Sequence, residues 1–162
     1  MTTSASTAEE AKRLADEREE AGDMEGAIEA ISEAIALEQS NPKYRALRGR
    51  LLHLRERWQD AIQDFDRALV LKPNSPTTLY FRARSRSMAG DLDGAILDFE
   101  RCIELQPTSA DAYAELGHIN RYKGNLVQAR TAYQKSLELD PERYAELNEK
   151  IDELEQKLNA GT

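Results

Sequence analysis

Cysteine is almost absent from this 162-residue chain. Cys102 stands alone, so no disulfide can close within the molecule, and a reducing compartment is expected. Aromatic residues make up only 6%, which excludes a thick aromatic core and suits thin helical packing. Long apolar runs are missing too. None approaches the roughly 18 residues that a membrane-spanning helix needs, and residues 1–7 hold no apolar stretch of the kind a secretory signal carries. A soluble, cytoplasmic protein with no membrane contact is the expectation. Positive charge is not in excess either. Lys and Arg number 22 against 30 Asp and Glu, a formal net charge of −8, which argues against nucleic acid as the main ligand.

Patterns that carry chemistry are as scarce. The two histidines, His53 and His118, lie far apart in sequence, and a metal site would need further ligands at set spacing. There is no Gly-rich phosphate loop and no Ser, His and Asp set at a motif spacing. The acidic residues between positions 9 and 38 read as a solvated helix face. The sequence therefore predicts no enzyme, no cofactor and no metal.

What the chain does have is a period. Ala27, Ala61, Ala95 and Ala129 stand 34 residues apart in one column. Ile31, Phe65, Phe99 and Tyr133 form a second column, Ala34, Ala68, Cys102 and Ser136 a third, and Leu37, Leu71, Leu105 and Leu139 a fourth. Cys102 thus falls among small residues, where a packed thiol is expected. A fixed period of this size marks a repeat array, in which each unit buries its face only against its neighbours. The units run 8–41, 42–75, 76–109 and 110–143, between an N-terminal tail of residues 1–7 and a further helix at 144–158, with 159–162 as a second tail.

Each unit reads as two helices. Asn41-Pro42 and Ser75-Pro76 place a capping residue before a proline whose missing N–H costs nothing at the first helical position. Thr7 and Glu10 have the spacing of a capping box. Gly22, Gly90 and Gly124 suit the left-handed residue that closes a helix, whereas the second unit has Glu56 there and must manage without glycine. In the second helix of the first unit, Ala27, Ile28, Ile31, Ala34 and Ile35 make one apolar stripe. Pro73, Pro107 and Pro141 stop this helix in the last three units. The small column Ala15, Gly49, Ala83 and Gly117 is expected to face the alanines of the second helix, letting the two axes approach. Trp58 shares a column with Met24, Leu92 and Leu126, which reads as packing at the turn. In the last helix, Leu147, Ile151, Leu154 and Leu158 line one face and are expected to cover the final unit.

These four units resemble tetratricopeptide repeats. The last carries the fullest set of matching residues: Tyr113, Leu116, Gly117, Gly124, Ala129, Tyr133, Ser136 and Pro141. Arg48 and Arg82 stand where the family has leucine, and Arg18 where an apolar residue is usual. The resemblance implies an all-α, right-handed α-solenoid of stacked antiparallel helix pairs, ended by a solvating helix. It also implies a concave surface lined by the first helix of each unit. Carried over position by position, that surface holds Lys43, Arg50, His53 and Leu54 in the second unit. The third unit brings Tyr80, Arg84, Ser87 and Met88, and the fourth Asp111, His118, Arg121 and Tyr122. The first unit contributes Glu9, Lys12, Asp16, Glu19 and Glu20. Some members of the family clamp the acidic tail of heat-shock chaperones. Here Lys12 fits that clamp, but Asp16, Leu47, Thr77 and Phe81 depart from it, so it is not assigned.

Charge is unevenly spread. Residues 42–75 carry eight Lys and Arg against four Asp and Glu, while both ends of the chain are acidic. An inner wall rich in Arg, Tyr and Met in an acidic molecule points to a non-enzymatic interaction module. It would bind an acidic peptide segment through Lys43, Arg50, His53, Leu54, Tyr80, Arg84, Met88, His118, Arg121 and Tyr122. Self-association is a second expectation, with the acidic first unit of one molecule docked on the basic second unit of another in a homo-oligomer. Nucleic-acid binding through Arg45, Arg48, Arg50, Arg55 and Arg57 ranks below both.

Overall fold

The computed structural model describes residues 7–160, so the expected tail positions 1–6 and 161–162 lie outside the described residues. Among the described residues there are nine α-helices and no strand. They are α1 (Ala8–Glu20), α2 (Met24–Leu37), α3 (Pro42–Leu54), α4 (Trp58–Leu71), α5 (Pro76–Met88), α6 (Leu92–Leu105), α7 (Ala110–Tyr122), α8 (Leu126–Leu139) and α9 (Leu147–Ala160). Each helix packs on the next along the chain, α3 also meets α5, and α5 meets α7. The result is an all-α helical repeat solenoid. The odd-numbered helices α1 to α7 are the first helices of the units, and the even-numbered ones are the second.

Helix ends follow the capping chemistry. Thr7 Oγ1 accepts from the Glu10 backbone, and the Glu10 side chain accepts from the Thr7 backbone, so both halves of the capping box form. Asn41 Oδ1 accepts from the Lys43 backbone. Ser75 holds the capping position of α5 without capping it, because its hydroxyl pairs with Thr78 Oγ1 at 2.8 Å instead. Gly22, Gly90 and Gly124 close their helices at φ between 79 and 89°. Glu56 takes the same left-handed turn at φ 59°, where a side chain costs energy. The final helix starts at Leu147, not at 144. Residues 141–146 form turns, with Tyr144 and Arg143 both tied to Asp111 on α7.

The core is the column of large side chains. Ile31, Phe65, Phe99 and Tyr133 are each at most 1% exposed, and burying each contributes about 1.5–3 kcal/mol. The two glycines of the small column, Gly49 and Gly117, lie against rings of the second helix. A Cβ on Gly49 would stand 2.7 Å from Phe65 Cε1, and one on Gly117 would stand 2.4 Å from Tyr133 Cδ1. The glycines are therefore room for an aromatic ring. Leu147, Ile151 and Leu154 of α9 are buried against the last unit, and Cys102 is buried, with its thiol pushed up in pKa by that burial.

The family's leucine position explains itself here. Arg48 donates to Asp64 from Nε at 2.6 Å and from Nη2 at 2.7 Å, and reaches back to Ser32 Oγ at 3.1 Å. Arg82 repeats the pattern one unit on, with Asp98 at 2.8 Å and Asp66 at 2.7 Å. Asp64 and Asp98 are both 4% exposed. In the first and last units the matching pairs are Leu14 with Ala30 and Leu116 with Ala132. So arginine and aspartate replace leucine and alanine together, the ion pair joins the two helices of one unit, and the arginine's further bond to Ser32 or Asp66 ties that unit to the one before it. Arg18 has a use too, donating to the Gly26 carbonyl at 2.8 Å.

Candidate interaction groove

Adjacent first helices set a row of side chains from equivalent positions next to one another. Leu54, Met88 and Tyr122 end α3, α5 and α7, and are 52, 56 and 83% exposed. Exposed large apolar groups at one position in three successive units form a stripe, and such a patch marks an interaction surface. Behind it stand half-buried Tyr80 and Arg84, with the Arg84 guanidinium 5.9 Å from the Tyr80 ring centre. Burial, with the nearby Glu115 carboxylate, pushes the Tyr80 hydroxyl up to about 12. A cavity of about 380 Å³ beside Tyr122 is lined by Ser87, Leu92, Glu115 and His118. Another of about 400 Å³ lies between Met88 and Trp58, which opens α4.

The basic wall read from the sequence is largely neutralised from within. Arg50 is held by both oxygens of Glu19 at 2.7 and 2.8 Å. Arg84 faces Glu115 at 3.4 Å. Those partners are 31 residues apart in both pairs, three short of one period, so a signal for them existed in the spacing. Glu25 likewise takes Arg55 at 3.0 Å, and Asp60 takes Arg57 at 2.8 Å. With Arg45 near Asp64 at 3.9 Å and Arg48 bonded to it, each of the five arginines of the expected nucleic-acid stretch faces a carboxylate. The acidic first unit and the basic second unit thus meet inside one molecule. Lys43 is exposed with no ion pair among the described residues, and exposed Arg121 lies near Tyr133 and His118.

The histidines are interior groups. His53 is 8% exposed, bonds Ser85 Oγ at 3.0 Å through Nδ1, and meets the Phe81 ring edge-on. It is therefore closed to a ligand, a correction to its expected place on the open wall. Burial lowers its pKa, and Arg84 lowers it further. His118 is half-buried, paired to the Tyr133 hydroxyl at 2.8 Å, and lowered by burial, Lys150 and Arg121. Burial raises the Glu115 carboxyl, against the pull of Arg84. The clamp residue Lys12 is bound to Asp16 at 2.6 Å, and Phe81 stacks on Phe65. Among the described residues no three His, Cys, Asp or Glu side chains gather into a metal-holding group, and no helix is long and apolar enough to cross a membrane.

Three family models, each described as tetratricopeptide repeat, match residues 12–76, 50–116 and 110–143. The chain belongs to the tetratricopeptide repeat family. None of the curated proteins matches it. Among solved structures, one described as the MamA protein superposes with a TM-score of 0.81 at 23% identity, covering 94% of this chain and 88% of that one. MamA from Desulfovibrio magneticus RS-1, from residue 41 to its end, gives 0.81 at 22% identity over 96% of this chain and 98% of that one. The first tetratricopeptide domain of Spaghetti (RPAP3), bound to the HSP90 peptide SRMEEVD, gives 0.71 at 22% identity over 73% of this chain and 94% of that one. At such identities the likeness is one of fold. Family and fold together support a scaffold for protein interaction.

Proposed function

We infer that this tetratricopeptide array takes a peptide segment of a partner protein along the face of α3, α5 and α7. The observation that carries the reading is the exposed stripe Leu54, Met88 and Tyr122, repeated across three units and flanked by cavities. Apolar side chains of the segment cover the stripe, and burying that area supplies most of the affinity. Acidic residues on the segment then play a guiding part. Lys43 and Arg121 offer open charge, while Arg50 and Arg84 exchange Glu19 and Glu115 for a partner's carboxylate. Swapping one partly exposed ion pair for another yields little net energy, so the charges set orientation and on-rate more than affinity. No chemistry is asked of these groups, in keeping with a non-enzymatic scaffold. A cytoplasmic site of action rests on the unpaired Cys102 and the sequence composition.

The test compares capture of partners from the native lysate by the wild-type chain and by a Met88→Ser, Tyr122→Ser variant. Both residues are exposed, so the fold should survive. The reading expects a specific partner that the variant loses. Equal capture by both would overturn the placement of the site.

A further inference from the structure

The side of the array opposite the groove carries a cavity that the groove does not explain. In the last unit, α6, α7 and α8 surround about 700 Å³, lined in part by Glu100, Leu116, Asn120, Thr131 and Ala132. Two periods earlier the equivalent residues Ser32, Arg48, Leu52, Gln63 and Asp64 line a cavity of only about 260 Å³. One contribution to the difference is visible. In the earlier unit the Arg48 side chain occupies the space, bonded to Asp64 and Ser32. In the third unit Arg82 does the same between Asp98 and Asp66. In the last unit Leu116 stands in place of the arginine and Ala132 in place of the buried aspartate, so the guanidinium's space is open.

One part of the arginine site remains. Glu100 lies one period after Asp66, whose carboxylate accepts from Arg82 at 2.7 Å. Glu100 is exposed and has no cation partner among the described residues. Two cations nearby are engaged: Lys135, which also lines the cavity, by Glu138 at 2.9 Å, and Arg101 by Glu104 at 2.7 Å. We propose that this cavity receives an arginine side chain carried by a partner segment. Its methylene stem lies over Leu116 and Val127, and its guanidinium meets Glu100. The chemistry is that of the two neighbouring units, supplied from outside. A flat five-donor guanidinium on an apolar stem matches such a space better than a compact ammonium. An anion is disfavoured by Glu100 and Glu138. The site is independent of the groove reading and stands or falls separately.

The probe is N-acetyl-arginine methylamide, titrated into the full chain and followed by amide chemical shifts. Its neutral isostere, the citrulline analogue, is the control. The expected result is saturable shifts at Glu100, Leu116 and Ala132 with arginine and none with citrulline. Glu100→Gln should weaken the affinity at least threefold. The pair Leu116→Arg with Ala132→Asp refills the space with the chain's own guanidinium, and should abolish the shifts. An equal response to citrulline, undiminished binding in Glu100→Gln, or shifts that survive the refilled pair would each overturn the proposal. Sedimentation gives a further arm. Self-association of the wild type that the refilled pair removes would put a second copy's arginine in the cavity and overturn the external partner.

Discussion

Replacing Arg48 by leucine should destabilise the array strongly, although leucine is what the first and last units carry at that position. The reason is the partner left behind. Asp64 is 6% exposed in its side chain, accepts two bonds from Arg48, and has only Arg45 at 3.9 Å in reserve. Removing one member of a buried pair costs about 3–5 kcal/mol. The Arg48 side chain is 26% exposed, so the pair is not fully dry, and about 2–4 kcal/mol is the expected loss. For a chain of this size that lowers Tm by about 5–15 °C. Asp64→Ala alone should cost less, about 1–2 kcal/mol, because the freed guanidinium can turn to water. The double variant restores the Leu and Ala pairing of the other units and should return to within about 1 kcal/mol of wild type. Urea and thermal unfolding followed by helical circular dichroism would give all three values. A double variant no more stable than Arg48→Leu alone would refute the claim that the two positions exchange as a unit.

Other outcomes follow from single contacts. Gly117→Ala should destabilise by about 0.5–2 kcal/mol, since overpacking against Tyr133 outweighs the helix propensity gained, and no loss in urea unfolding would contradict the ring-over-glycine packing. Glu56→Gly should stabilise by up to about 1 kcal/mol by relieving the left-handed turn at φ 59°, read as a raised urea midpoint. His53 has a pKa lowered by burial, so the unfolded chain binds more protons than the folded one just below the ordinary imidazole value of 6.5. Stability is therefore held above that pH and falls as pH drops through it toward the folded value. His53→Gln should flatten this part of the stability profile, while an unchanged slope would show that His53 does not contribute to it.

The period, the helix pairs and most helix ends were legible because they rest on local chemistry. Pro73, Pro107 and Pro141 stop their helices, and glycines mark three of the four left-handed turns, Glu56 taking the fourth. The start of α9 was not legible, because a tertiary tie from Tyr144 and Arg143 to Asp111 holds residues 141–146 in turns. The groove was legible as a set of positions but not as an electrostatic surface. Whether Arg50 is open depends on Glu19 in another unit, and the sum of charges in a segment cannot tell a free arginine from a paired one. His53 was misplaced for a related reason: Ser85 and Phe81 of the next unit close over it. The cavity at Leu116 was invisible because it arises from what two substitutions omit.

Hydrogen exchange of the chain with and without a captured partner segment tests the central claim most directly. The account predicts slowed exchange at the ends of α3, α5 and α7 around Leu54, Met88 and Tyr122, with α2, α4 and α8 unchanged. Protection confined to the second helices would contradict it.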